Sequence, residues 1–209
     1  MLPPSYGIDF GTTNSVVTAL SPDGAVRTAR FGPAAAEAFR TVLCFAQERA
    51  AGRVTLHHTA GPDAIAAYLE DPLDARLMMS LKTYLAQKSF TQTQVFQRMF
   101  ALEDLISLFL RALCGGAGLP PGSRITAGRP VRFAGERADD ALGEARLRES
   151  FRRAGVGEIG VALEPLAAGY RFTSGLTAPA TVMIGDFGGG TSDFSLLRFE
   201  PGSAQPVNA

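Results

Sequence analysis

No sign of charge dominates this chain. Twenty Lys and Arg side chains stand against twenty Asp and Glu, so the formal net charge is zero. Such a balance supplies no basic face for nucleic acid or for an anionic membrane surface, and neither partner is expected. Long apolar runs are missing as well. The most apolar helical stretch, Leu105 to Cys114, is interrupted by Arg111. It falls short of the roughly 18 apolar residues a membrane span needs. The first residues, Met1-Leu2-Pro3-Pro4-Ser5-Tyr6-Gly7, lack the basic segment and apolar core of a secretory signal. Cysteine is scarce. Cys44 and Cys114 lie in apolar stretches without metal-ligand spacing, which reads as two buried thiols in a reducing compartment. A cytoplasmic location follows as the expectation. Lysine is scarcer than the charge balance suggests: Lys82 and Lys88 are the only two, and every other cation is arginine.

What is present is enough for a core, with 46% hydrophobic residues. The opening predicts a meander of Tyr6 to Phe10, Ser15 to Leu20 and Ala25 to Phe31, with turn chemistry at Gly11 to Asn14 and Ser21 to Gly24. Thr41 to Gln47 and Arg53 to His58 read as strands, and His57 and His58 carry no catalytic expectation. Pro62 to Glu70 reads as a helix with proline at its start. Leu102 to Cys114 has helical periodicity and stops at Gly115-Gly116. Ile125 to Val131 reads as a strand. Glu136 to Ala154 reads as a helix in which Glu144–Arg148 and Glu149–Arg153 are favourable i,i+4 pairs. Ile159 to Leu163 is a strand, Pro165 opens another helix, 174–179 is a loop, and Ala180 to Asp186 and Ser192 to Glu200 are strands around a glycine turn. Alternation of strands and helices after residue 100 predicts an α/β class.

The chain echoes itself. Ile8-Asp9-Phe10-Gly11-Thr12-Thr13-Asn14-Ser15 is matched by Gly185-Asp186-Phe187-Gly188-Gly189-Gly190-Thr191-Ser192. Each copy is an apolar strand, Asp-Phe-Gly, small residues and a second apolar strand. The wide spacing points to two related lobes, because solenoid repeats are much shorter. Glycine turns let backbone N–H groups approach an anion, and threonine hydroxyls add donors. Two such turns, Gly11, Thr12, Thr13 and Asn14 in one and Gly188, Gly189, Gly190 and Thr191 in the other, could clamp a polyphosphate from both sides. A polyphosphate brings Mg²⁺, which keeps much of its water. Asp9, Asp186 and Asp193 stand where carboxylates could hold those waters. Other phosphate binders drop out: there is no Gly-x-x-x-x-Gly-Lys-Ser/Thr, no Gly-x-Gly-x-x-Gly after the first strand, and no His-Arg-Asp loop to accompany Asp-Phe-Gly as in protein kinases.

Gly7 to Ser15 resembles the first phosphate motif of the DnaK-type heat-shock chaperones, and Asp186 to Asp193 resembles their second. Leu163-Glu164-Pro165-Leu166-Ala167-Ala168-Gly169-Tyr170 is similar to their connecting segment. Ser80 to Leu85 and Gly128-Arg129-Pro130-Val131-Arg132-Phe133 resemble the YegD-type branch, whereas mainstream members read Val-Pro-Ala-Tyr-Phe at the latter. The resemblance covers nearly the whole chain, with 32–75 poorly matched. It implies an actin-like ATPase (ribonuclease H-like) lobe I over 1–176, with an inserted subdomain at about 32–100, and the first strands of lobe II in 177–209. ATP/ADP and Mg²⁺ are implied as ligands, and unfolded polypeptide clients and co-chaperones as partners of the full-length protein. Interdomain coupling through the region of Pro130 is in doubt, because its neighbours depart from the mainstream pattern.

The resemblance also implies roles. Lys82 would reach the γ-phosphate and the attacking water, a task that suits an ammonium. Glu164 would help place water and metal. Thr191 would donate to the γ-phosphate, and Asp9, Asp186 and Asp193 would organise Mg²⁺ through water. ATP would be hydrolysed to ADP by an oriented water without a covalent intermediate. The chain stops soon after the second glycine turn, so the family's adenosine motif is not among these residues. The isolated chain is therefore expected to bind ATP weakly and turn it over poorly, with open apolar edges near Val182 and Leu196. Three other classes remain open: an actin-fold small-molecule kinase, a filament-forming protein and a nucleotide-binding pseudo-ATPase module.

Overall fold

The computed structural model describes residues 5–50, 53–173 and 175–201. The extreme N-terminal residues 1–4, residue 174 at the start of the expected loop and the small, polar 202–209 tail lie outside them.

The main sheet is built from β1 (Ser5–Phe10), β2 (Asn14–Leu20), β3 (Val26–Thr28), β10 (Arg124–Arg129) and β11 (Gly160–Leu163), in the order β11-β10-β1-β2-β3. β1, β10 and β11 run parallel, and β2 returns antiparallel to β1 in the register Phe10↔Ser15 to Ser5↔Leu20. A two-residue β4 (Phe39–Arg40) adds to β2. The alternation in β1 is the physical signature of a half-buried strand: Ile8 and Phe10 are buried and Asp9 between them faces out.

Helix α2 (Leu102–Gly116) covers the sheet, and α3 (Asp140–Ala154) packs beside it. Eight of the fifteen α2 residues are buried, including Leu105, Ile106, Phe109 and Leu113. Each such side chain contributes about 1.5–3 kcal/mol of burial, so α2 is the anchor of the core. Phe10 and Phe39 both pack on Phe109, with ring centroids 5.6 and 5.8 Å away. Cys44 and Cys114 are buried free thiols.

Helix α3 begins at Asp140, later than the sequence pattern predicts from Glu136. Its N-cap is Asp139, whose carboxylate accepts from the Leu142 N–H at 3.0 Å. That bond meets one of the orphan donors of the first turn and sets the start. Gly155 ends the helix in the left-handed region at φ 84°. Both expected ion pairs form, Glu144–Arg148 at 2.8 Å and Glu149–Arg153 at 2.8 Å.

Between β4 and α2 lies a second layer. β5 (Val42–Ala50), β6 (Arg53–Ala60) and β7 (Ala75–Met79) form an antiparallel sheet in the order β6-β5-β7, with α1 (Pro62–Glu70) against it. Leu43 and Phe45 of β5 belong to the same core cluster as Phe10 and Phe109, so this layer shares the main core. β7 leads into a single 3-10 turn, Leu81–Tyr84, and then a hairpin of β8 (Gln92–Val95) and β9 (Arg98–Ala101). After β11 come α4 (Glu164–Thr173) and a separate antiparallel hairpin, β12 (Ala180–Phe187) with β13 (Ser192–Phe199).

Candidate phosphate-binding site

The three parallel strands of the main sheet all end at one place. β1 delivers Asp9 and Gly11, β10 delivers Gly128 to Arg132, and β11 hands over to Glu164 at the first position of α4. The carboxyl end of a parallel sheet is where α/β folds hold their ligands. Here it forms the floor of a cavity of about 210 Å³.

Both glycine turns open onto that cavity. Gly11, Thr12, Thr13 and Asn14 line it from the first turn, and Gly188, Gly189 and Thr191 from the second. Lys82, Glu164, Asp9, Asp186 and Asp193 line it too. Gly190 is the one candidate residue outside the lining. It stands over the first turn, where a Cβ would lie 3.4 Å from the Thr12 methyl.

Glycine is needed in these turns for close approach. Gly11 and Gly188 to Gly190 all lie outside the left-handed region. A side chain at Gly11 would run into the Asn14 carbonyl oxygen, and one at Gly189 would overlap the Thr13 hydroxyl. The two hairpins therefore touch, glycine against threonine. The second turn is closed by the Gly188 N–H donating to the Thr191 carbonyl at 2.9 Å. The first is held from outside: the Thr41 N–H donates to the Thr13 carbonyl at 2.8 Å, and Arg40 donates to the Asn14 side-chain oxygen at 3.1 Å. The backbone N–H groups of Thr12, Thr13, Gly189 and Gly190 find no acceptor among the described residues. Unpaired N–H groups in two touching turns are the donors an anion nest requires.

Lys82 enters on the 3-10 turn. Ser80, just before it, sits in the left-handed region at φ 58°, an uncommon conformation for serine that swings the chain from β7 towards the cavity. The Lys82 ammonium donates to Glu164 Oε1 at 2.7 Å, and the two side chains are only 13% and 17% exposed. Gly128 leaves the space that Glu164 occupies, since a Cβ there would come within 3.0 Å of the Glu164 stem. The second lysine is different: Lys88 pairs with Asp139 on the surface.

The segment behind Lys82 is clamped by Arg146 of α3. Its guanidinium donates to the Gln87 and Phe90 carbonyls at 3.0 and 2.8 Å, and its Nε pairs with Glu103 at 3.1 Å. The sequence reading gave Arg146 no role, because a cation in an amphipathic helix looks like any solvated one. Thr83, Pro130, Arg132 and Phe133 also line the cavity, and none was singled out as a site residue.

Charge in the cavity is uneven. Four carboxylates and two cations line it. Burial pushes the Glu164 pKa up; Lys82 opposes that shift, while Asp9 and Asp186 add to it. Asp9 keeps surface at the cavity mouth but is crowded by protein, and burial raises its pKa, with Lys82 opposing and Asp186 reinforcing. Thr191 donates its hydroxyl to Asp193 at 3.0 Å. Among the described residues no group of three His, Cys, Asp or Glu is arranged to hold a metal directly.

The chain resembles two solved structures of MamK. One is a non-polymerising mutant bound to AMPPNP, 19% identical, with a TM-score of 0.51 over 98% of this chain and 53% of that one. The other is a MamK double helical filament, 17% identical, with a TM-score of 0.51 over 91% of this chain and 49% of that one. The fold is the actin-like α/β fold of these structures. The chain spans about half the length of the MamK structures it matches. No protein-family description matches it. Among its described residues, no helix is long and apolar enough to cross a membrane.

Proposed function

We propose that the two glycine turns bind the phosphates of ATP, and that the protein hydrolyses ATP as the nucleotide-binding part of a DnaK-type, YegD-like chaperone. One observation carries the phosphate reading: two sequence-distant Asp-Phe-Gly turns touch across one cavity and share it with Lys82 and Glu164. The fold it shares with a MamK structure bound to AMPPNP supports a nucleotide as the ligand. The chaperone assignment rests on the segments Gly128 to Phe133 and Leu163 to Tyr170, with clients and co-chaperones belonging to the full-length protein.

In this reading the free N–H groups of both turns cradle the phosphates, and Thr191 donates to the terminal one. Lys82 faces the charge that develops as the terminal phosphoryl group leaves. Glu164 orients the attacking water through its hydrogen bonds. Asp9, Asp186 and Asp193 suit a hydrated cation: they face one space, and the Asp9–Asp186 repulsion is what such an ion would relieve. Asp9, Asp186 and Asp193 would hold the waters of Mg²⁺, which when bound would offset the negative charge of the phosphates.

Phosphate release by the full-length protein tests this. The wild type is expected to release phosphate from Mg·ATP, and Lys82→Ala to do so about 10²-fold more slowly. Equal rates for the two would overturn the role of Lys82. Nucleotide binding without turnover in the wild type would leave a binding module in place of an ATPase. ADP formation that depends on an added sugar, without free phosphate, would point to a small-molecule kinase, and nucleotide-dependent light scattering to a filament.

A further inference from the structure

Arg132 is the second cation of the cavity, and its place differs from that of Lys82. It follows Pro130 at the carboxyl end of β10 and forms part of the cavity wall. Lys82 is already engaged with Glu164 at 2.7 Å. The Arg132 guanidinium makes no hydrogen bond or ion pair among the described residues, although it stands in a cavity lined by four carboxylates. An exposed, unengaged arginine in an anion site stays hydrated until a ligand replaces its water.

Its position along the cavity is informative. Arg132 also lines an adjoining space of about 260 Å³ together with Glu164, Asp186 and Asp193, a space that Gly11 to Asn14 do not reach. It therefore stands at the acidic end, beyond the first glycine turn. A phosphate chain gripped by the turns and continued towards Glu164 ends beside it. A guanidinium there offers a planar fork that matches two oxygens of one phosphate.

We propose that Arg132 is a second phosphate-binding cation, supplied by the same chain, that reads the terminal phosphate and makes the site prefer a triphosphate over a diphosphate. The inference rests on the nucleotide reading above and goes beyond it, naming the residue that distinguishes the two nucleotides.

Ligand-observed NMR titration of the protein with Mg·ATP and Mg·ADP tests it, because that readout follows weak binding. The wild type is expected to favour Mg·ATP. Arg132→Ala is expected to weaken Mg·ATP by about 10-fold or more, the usual loss of a charge-assisted contact, with Mg·ADP changed less than about 2-fold. Arg132→Lys, which keeps the charge without the fork, is expected to fall between. Arg137→Ala, an exposed arginine outside the cavity, is the control and should match the wild type. An unchanged ATP-to-ADP ratio in Arg132→Ala, or an equal loss for both nucleotides, overturns the role of Arg132 while the nucleotide reading stands. A wild type that binds neither nucleotide overturns that reading and this one with it.

Discussion

Asp9 shows how the site is organised against its own stability. Burial and the neighbouring Asp186 raise its pKa, and Lys82 offsets only part of the shift. An acid whose folded pKa is raised supports the fold fully below its ordinary pKa. That support is lost as pH rises through the raised value. At neutral pH the ionised Asp9 is therefore a cost to the ligand-free protein. Asp9→Asn is expected to raise the melting temperature at pH 7. It should give no gain below the ordinary carboxylate range. A melting series across pH checks both halves, and a variant less stable at pH 7 would refute the account. Under the proposed function the same substitution should also weaken Mg·ATP. Asp9 and Asp186 could be picked out in the sequence because each ends a strand just before a glycine turn. Arg132 could not, because nothing in Gly128 to Phe133 says which side chain faces a cavity that a distant hairpin closes.

At the scale of elements, the site depends on how α3 holds the segment that carries Lys82. Arg146 is 12% exposed and Glu103 14%, and together they tie 84–90 to the first turn of α2. Removing one member of such a pair leaves the other charge buried and strips several carbonyls of their donor. Arg146→Ala is expected to destabilise the protein by about 3 kcal/mol, read as a lower urea midpoint. A change under about 0.5 kcal/mol would mean that the clamp carries no weight. Elements with strong local signals were readable in advance. The apolar stripe of α2, the ion-paired α3 and the β-branched β2 each carry their own physics. The β8–β9 hairpin was not readable. Its first strand, Gln92–Val95, is largely polar, both strands are only four residues long, and its turn has Phe96 at φ 52°, where a hairpin signal would have Gly or Asn. Tertiary packing, with Val95 fully buried, holds that turn.

For the whole molecule, the β12–β13 hairpin is the exposed part. Met183 and Phe187 of β12 and Phe194 and Leu196 of β13 are all exposed, and Met183 and Leu196 are direct cross-strand partners. The opposite side is anchored by Phe199, fully buried against Gly169 of α4, where any side chain would collide with the ring. Of the two apolar residues expected to be open there, Leu196 is exposed and Val182 is half-buried. Four large apolar side chains on one hairpin form a patch of the kind that binds other apolar surfaces. This chain is expected to enhance the fluorescence of a hydrophobic dye at pH 7. The double variant Phe187→Ser, Leu196→Ser should lose most of that signal with unchanged secondary structure by circular dichroism. Full fluorescence in the variant would locate the apolar surface elsewhere.

Local chemistry wrote much of this molecule into its residues. The two Asp-Phe-Gly turns, the strands around them and the i,i+4 ion pairs of α3 follow from near neighbours in the chain, and all could be read there. The meeting of the turns, the ion pair between Lys82 and Glu164, the clamp of Arg146 and the unengaged Arg132 belong to the folded state. Each joins segments far apart in the chain through packing and through space that glycines leave empty, as at Gly128 and Gly189. Periodicity reports which face a side chain takes on its own element. Which other elements meet that face is set by the packing of the whole core.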